Sequence, residues 1–173
     1  MLPSVRFLGI DPGLATVGLG LVEAESPQDI RVVEWLTIET KPGIPAAERL
    51  HELHENLAEF LADAKPDLAV VERLFFETNV KTAMDVAQAR GVILQTLAEH
   101  SLPIIEPTPL QLKSAITGDG KADKRQVQDM LKLMLKLSAI PKPDDAADAL
   151  ALAVYGAVVS RSGVVIADSN HAR

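Results

Sequence analysis

Four carboxylates stand where an apolar segment stops or a helix begins. Asp11 follows Phe7-Leu8-Gly9-Ile10, Glu72 follows Leu68-Ala69-Val70-Val71, and Asp145 and Asp148 open the last apolar stretch of the chain. A charge ending a buried strand needs solvent, a cation or a hydrogen-bond donor to face. The three-residue spacing of Asp145 and Asp148 puts both on one face of a helix, at its N-terminal turn. Hard divalent cations prefer oxygen donors and keep several waters, so carboxylates beside open coordination positions suit phosphate chemistry. Two such ions about 4 Å apart can hold an attacking water and a leaving oxygen for in-line displacement. Without cations the cluster repels itself.

Each acid also has a plainer reading. Asp144, Asp145 and Asp148 can cap a helix and complement its dipole. Asp11 before Pro12-Gly13 can build a turn, and Glu72 can pair with Arg73. Their joint occurrence at one predicted sheet edge favours metal binding.

Positive and aromatic residues accompany the acids. Lys113 and Lys124 can each pair with a phosphate and stabilise charge developing in a transition state. Lys124 and Arg125 are also readable as ordinary helix-surface charges, but they follow the Gly-containing loop Thr117-Gly118-Asp119-Gly120. Arg73, Asn79, Lys81 and Arg90 add donors after Glu72 that can meet a nucleic-acid backbone, and Arg90 has a structural reading as well. Phe75 and Phe76 follow the Glu72 strand too early to belong clearly to the next helix, and one of the pair is expected in the core. His51 and His54 have a metal-binding spacing, yet Leu50, Leu53 and Leu57 already define the buried side of their helix. His100 and His171 have no evident partner.

These residues need a scaffold. Val5 to Ile10, Thr16 to Glu23 and Ile30 to Glu39 read as three consecutive strands, an antiparallel meander. From Ala46 the period becomes helical until Lys65-Pro66-Asp67, and Leu68 to Val71 is a short, wholly apolar strand. A second helix is predicted from about Asn79 to His100, and a fifth strand over Leu102-Pro103-Ile104-Ile105. Pro107 and Pro109 flank a helix start, a helix from about Asp123 carries Val127, Leu131, Met134 and Leu135 on one side, and Pro141 and Pro143 close it. The last helix starts at Asp144 or Asp145. The order reads β-β-β-α-β-α-β-α, an α/β fold whose mixed sheet carries helices on both faces. In such sheets ligands gather outside the carboxyl ends of strands, where Asp11 and Glu72 are predicted to lie.

Composition narrows the function classes. The 173 residues suit one domain, and 47% hydrophobic content supports a core without disulfides or structural metal. No cysteine is present, which excludes thiolate catalysis, thiolate metal sites and disulfides. The longest nearly uncharged apolar run, Ala149 to Val159, is far short of the roughly 20 residues that span a bilayer. Arg6 and Asp11 interrupt the N-terminal apolar stretch, unlike a signal peptide. The expectation is a cytoplasmic protein with no membrane partner. A net charge of −7 argues against general nucleic-acid stickiness, so a phosphate-bearing partner must meet a local basic patch. Residues 1–160 are read as one domain and 161–173 as a poorly ordered tail without a clear period.

Phe7-Leu8-Gly9-Ile10-Asp11-Pro12-Gly13 with Gly18, Val70-Val71-Glu72-Arg73-Leu74-Phe75, Ala87-Gln88-Ala89-Arg90-Gly91, and Asp145-Ala146-Ala147-Asp148-Ala149-Leu150-Ala151 form a set. In order and spacing it resembles the RuvC family of Holliday junction resolvases, over about residues 5 to 160. The resemblance implies a ribonuclease H-like fold with a five-stranded mixed sheet, a homodimer, and cleavage of four-way junction DNA. It implies Asp11, Glu72, Asp145 and Asp148 as catalytic acids holding two Mg²⁺ ions, with Mn²⁺ as an alternative. It also implies Lys113 and Lys124 near the DNA, Phe75 stacking on a base unpaired at the junction, and a RuvAB-type branch-migration motor as partner. Asp144 departs from the pattern by adding a carboxylate able to compete as a ligand, although the Asp-Ala-Ala-Asp spacing favours Asp145.

The function expected is therefore a structure-specific endonuclease of recombination and repair, making paired symmetrical nicks with 5′ phosphate and 3′ hydroxyl ends. Two matched cuts fit a two-fold dimer. Alternatives are a noncatalytic junction-binding or ribonuclease H-like interaction module, or another nuclease of the same superfold. An actin-like kinase reading of Gly9-Ile10-Asp11-Pro12-Gly13 fails because that fold needs two lobes.

Overall fold

Alternation along the first strands sets two faces, and each is covered by helices. The structure, a computed structural model, describes residues 4–74 and 80–161, the side chains of 80–82 and 161 excepted. The strands are β1 (Val5–Asp11), β2 (Thr16–Ser26), β3 (Asp29–Glu39), β4 (Leu68–Val71) and β5 (Ile104–Ile105). The helices are α1 (Ala46–Ala64), α2 (Val80–Glu99), α3 (Pro109–Thr117), α4 (Lys124–Met134) and α5 (Asp144–Arg161). The sheet order is β3-β2-β1-β4-β5. β1, β2 and β3 form the antiparallel meander, while β4 pairs parallel with β1 and β5 parallel with β4.

One face presents Leu8, Ile10, Leu19, Leu21, Ala69 and Val71 to Leu53, Leu57 and Leu61 of α1 and to Ala89, Ile93 and Leu97 of α2. The other presents Phe7, Val22 and Ala24 to Leu150, Ala153 and Val154 of α5, with Ile116 of α3 and Leu131 of α4 packed alongside. Three helices follow β5, as the helix starts read near Pro109, Asp123 and Asp144 lead one to expect, so the final α of the condensed order stands for three. Each has its own start signal. Thr108 and Asp123 close capping boxes with Gln111 and Gln126, and Pro109 takes the first position of α3, where a missing N–H costs nothing. Asp123 is thus the cap of α4, not its first helical residue.

α5 approaches the sheet unusually closely. A Cβ on Gly9 would lie 1.9 Å from the Ala149 carbonyl oxygen, and one on Gly20 would lie 2.6 Å from the Leu150 nitrogen. Glycine and alanine let the backbones meet where larger side chains would hold them apart, which explains an apolar helix that is alanine-rich rather than leucine-rich. The fifth strand is shorter than predicted. Pro103 has no N–H to pair, and only its carbonyl joins the neighbour, accepting from the Ala69 N–H at 2.9 Å. Among the described residues, no helix is long and apolar enough to cross a membrane.

Candidate active site

The pleat decides where the acids face. Along β1, Leu8 and Ile10 enter the α1/α2 core, so Phe7, Gly9 and Asp11 face α5. In β4, Ala69 and Val71 enter the same α1/α2 core, and the alternation carries Glu72 to the α5 side. Gly18 pairs across the sheet with Asp11, and the main chain of α5 at Asp145 rests on it. The first turns of α5 are thereby delivered beside the ends of β1 and β4.

A cleft of about 220 Å³ opens there, lined by Asp11, Glu72, Asp148, Lys113 and Lys124, with Leu112, Val127 and Leu131 among its apolar wall. Burial pushes the Asp11 carboxyl up to about 7, with further rises from Asp148, Asp145 and Glu72 and a partial offset from Lys124. Glu72 is also raised, first by burial and then by Asp148, against the pull of Lys113. Asp145 shares this field without lining the cleft. Lys124 donates from Nζ to Asp148 Oδ2 at 3.0 Å and stands 3.4 Å from Asp144 Oδ2. The hydrogen bond to Asp148 is the main reason its ammonium is held above its ordinary range. Asp144 is a further 3.9 Å from Lys142 Nζ and does not line the cleft.

Among the described residues, the titratable lining is carboxylate and ammonium, with neither thiolate nor imidazole. Such a donor set suits a hard divalent ion, and a cation would offset both the burial and the carboxylate repulsion that lift Asp11. Among the described residues no three acidic or imidazole groups are drawn close enough to enclose one ion. The Lys124 ammonium supplies the positive charge at Asp148.

The family model described as crossover junction endodeoxyribonuclease RuvC matches residues 7–156. The chain belongs to the RuvC family. It is 45% identical over 158 residues to the crossover junction endodeoxyribonuclease RuvC of Caldicellulosiruptor saccharolyticus, covering 91% of this chain and 95% of that protein. To the protein of the same name from Chloroflexus aurantiacus it is 49% identical over 150 residues, covering 87% and 91%. The structure of T. thermophilus RuvC in complex with Holliday junction substrate is similar with a TM-score of 0.87 at 34% identity, over 92% of this chain and 97% of that one. The yeast mitochondrial Holliday junction resolvase Ydc2, 14% identical with a TM-score of 0.66 over 95% and 82%, shares the fold. The ribonuclease H-like architecture and the endonuclease class expected from the motifs are both borne out.

Other residues singled out from sequence fare differently in this RuvC-family chain. Arg125 does not line the cleft; its side chain is 90% exposed and lies 3.9 Å from Asp129 one turn along α4. Adjacent helix positions point about 100° apart, so Lys124 turns toward Asp148 and Arg125 toward Asp129. Arg73 is exposed, and its N–H donates to the Pro107 carbonyl at 2.9 Å. Phe75, Phe76, Asn79 and the Lys81 side chain lie outside the described residues, as does the tail at 162–173. The histidines part company: His51 sits 3.4 Å from Glu55, whereas His54 Nδ1 meets Thr96 Oγ1 at 2.9 Å. His100 does have a partner, the Thr96 carbonyl at 2.9 Å. Sequence reasoning left Arg90 ambiguous and missed Glu106. Arg90 Nε donates to the Glu72 carbonyl at 3.1 Å, and its guanidinium pairs with Glu106.

Proposed function

We propose that this chain cuts four-way DNA junctions by paired symmetrical nicks, with Asp11, Glu72, Asp145 and Asp148 holding two Mg²⁺ or Mn²⁺ ions. The reading rests on one observation: acids from β1, from the end of β4 and from α5 meet two lysines in a single cleft. Similarity to a T. thermophilus RuvC solved with Holliday junction substrate supports the choice of DNA.

The protein's own groups have separable tasks. Asp11, Glu72 and Asp148 present their oxygens to the cleft, and Asp145 adds charge from the first turn of α5. Bound there, the metal would supply Lewis-acid stabilisation and a more acidic water for in-line phosphodiester hydrolysis. Lys124 moves its ammonium from Asp148 toward a phosphate oxygen and steadies the charge developing on the leaving 3′ oxygen. Lys113 neutralises the opposite side of the cleft near Glu72. One of Phe75 and Phe76, Phe75 by the family resemblance, supplies stacking surface for an opened crossover, where a base–aromatic contact is worth about 1 to 3 kcal/mol. Arg73, Asn79, Lys81 and Arg125 meet the backbone. A homodimer of residues 1–160 would bring two clefts to two strands, with a RuvAB-type branch-migration motor as partner in the cytoplasm.

The test compares Mg²⁺- or Mn²⁺-dependent cleavage of a four-way DNA junction, a linear duplex and an RNA–DNA hybrid of equal length. Paired nicks at opposed positions in the junction, with the other two substrates left intact, are expected. Absent junction cutting, or equal cutting of all three, rejects the reading.

A further inference from the structure

The residue that carries the Glu72 carboxylate sits one step beyond the sheet. β4 pairs with β1 only as far as Val71, opposite Ile10, and with β5 only as far as Val70, opposite Ile105. Past that point the ladder no longer fixes the main chain. Two other contacts do. The Arg73 N–H donates to the Pro107 carbonyl at 2.9 Å, and the Glu72 carbonyl accepts from Arg90 Nε at 3.1 Å. The same guanidinium turns its Nη2 to Glu106 Oε2 in a charged hydrogen bond. Glu106 is the residue directly after β5, and Arg90 comes from the middle of α2. One side chain therefore ties α2, the end of β4 and the end of β5 together where the sheet has let go.

The Arg90 side chain is only 16% exposed, so water and salt compete weakly for its bonds. A planar fork can hold a carbonyl and a carboxylate at once in a fixed relative geometry, which an ammonium on a flexible stem cannot. Arg90 lines no part of the cleft that holds Asp11, Glu72 and Asp148. It touches the peptide that aims one of those acids.

We propose that Arg90, held by Glu106, is a positioning residue that fixes the Glu72 peptide and thereby the direction from which the Glu72 carboxylate meets a divalent ion. This deepens the proposed function and rests on Glu72 being a metal ligand. Partners that orient a ligating group commonly matter about 10- to 100-fold for metal affinity or activity, and small misplacements of a reacting constellation are similarly costly.

The test titrates Mn²⁺ into the full chain without DNA, by calorimetry, for the wild type, Arg90→Lys, Arg90→Met, Glu106→Gln, Glu72→Gln and the Glu72→Gln/Arg90→Lys pair. The temperature is one at which circular dichroism shows the chains folded. Arg90→Lys and Arg90→Met are expected to weaken Mn²⁺ binding about tenfold or more, with Glu106→Gln showing a smaller loss. Arg90→Lys should also slow single-turnover junction cleavage at saturating Mn²⁺ while leaving junction affinity unchanged. In the Glu72→Gln background, Arg90→Lys should cost nothing further, because the effect runs through Glu72. Glu106→Gln, which keeps its shape, decides the matter if both Arg90 variants fail to fold. Wild-type Mn²⁺ affinity in folded Arg90→Lys, or an equal loss with and without Glu72, overturns the proposal. A wild type that binds no Mn²⁺ overturns the metal-site reading itself.

Discussion

Gly18 stands opposite Asp11 across β1 and β2, and a Cβ placed on it would lie 2.0 Å from the carbonyl oxygen of Asp145. The absence of a side chain at Gly18 sets how near the first turn of α5 comes to the end of β1. Main chain cannot yield as a flexible side chain can, so Gly18→Ala should lift the start of α5. A stability loss of about 1 to 3 kcal/mol, the usual range for overpacking, is expected in urea denaturation. Gly9→Ala, aimed at Ala149 one turn further along, should cost as much. Only Gly18→Ala should also weaken Mn²⁺ binding in calorimetry at a temperature where both remain folded.

The Asp11 carboxyl carries a pH signature. Its pKa in the folded, metal-free protein is about 7, above an ordinary 3.8, with burial the first cause. The folded state therefore favours the protonated form. Its stabilising contribution is complete below the unfolded pKa and disappears as pH rises through the folded one. A tenfold difference in proton affinity between the two states is worth about 1.4 kcal/mol, and the effect is reduced here because the site is partly open to solvent. In chelator, the wild type should lose stability between acidic and mildly alkaline pH, and Asp11→Asn should lose less. The variant should be more stable than wild type above the Asp11 pKa by about 1 to 3 kcal/mol, measured by urea denaturation, while failing to nick a junction. Equal pH dependence in both proteins would remove Asp11 as the source.

The parts of this arrangement legible in the sequence are those governed by local pattern. Apolar runs ending in Asp11 and Glu72 announce two strand ends, and Pro143 followed by Asp144 and Asp145 announces the last helix. The register of β1 against β2, not the local pattern, shows Gly18 beneath Asp145. Contacts between distant positions had no local signal. Nothing in the neighbourhood of Arg90 points to Glu106, sixteen residues on and just past β5. Lys124 and Arg125 look alike as adjacent basic residues, and only the orientation of α4 against α5 separates a lysine at Asp148 from an arginine beside Asp129.

Lys124 separates chemistry from stability. Its side chain is 53% exposed, and its partner Asp148 is 45% exposed, so the pair contributes within about 1 kcal/mol to folding. Lys124→Met should therefore shift the urea midpoint little. Single-turnover cleavage should fall about 100- to 1,000-fold, the range for losing one group that stabilises transition-state charge. Junction affinity, measured in chelator, should change far less. A variant that binds poorly and cuts in proportion would make Lys124 a simple phosphate contact.

Asp144 offers the clearest division between two roles for an acid beside the cleft. It lies 3.4 Å from Lys124 and 3.9 Å from Lys142, and unlike Asp145 it is not among the charges that raise Asp11. Its geometry is that of a counter-charge restraining two lysines. Asp144→Asn should leave Mn²⁺ affinity within about twofold, since exposed pairs are worth only a few tenths of a kcal/mol. It should tighten junction binding and steepen its salt dependence, because a lysine released from a carboxylate is free to displace a counterion from phosphate. A loss of metal affinity comparable to that of Asp148→Asn would instead place Asp144 among the ligands.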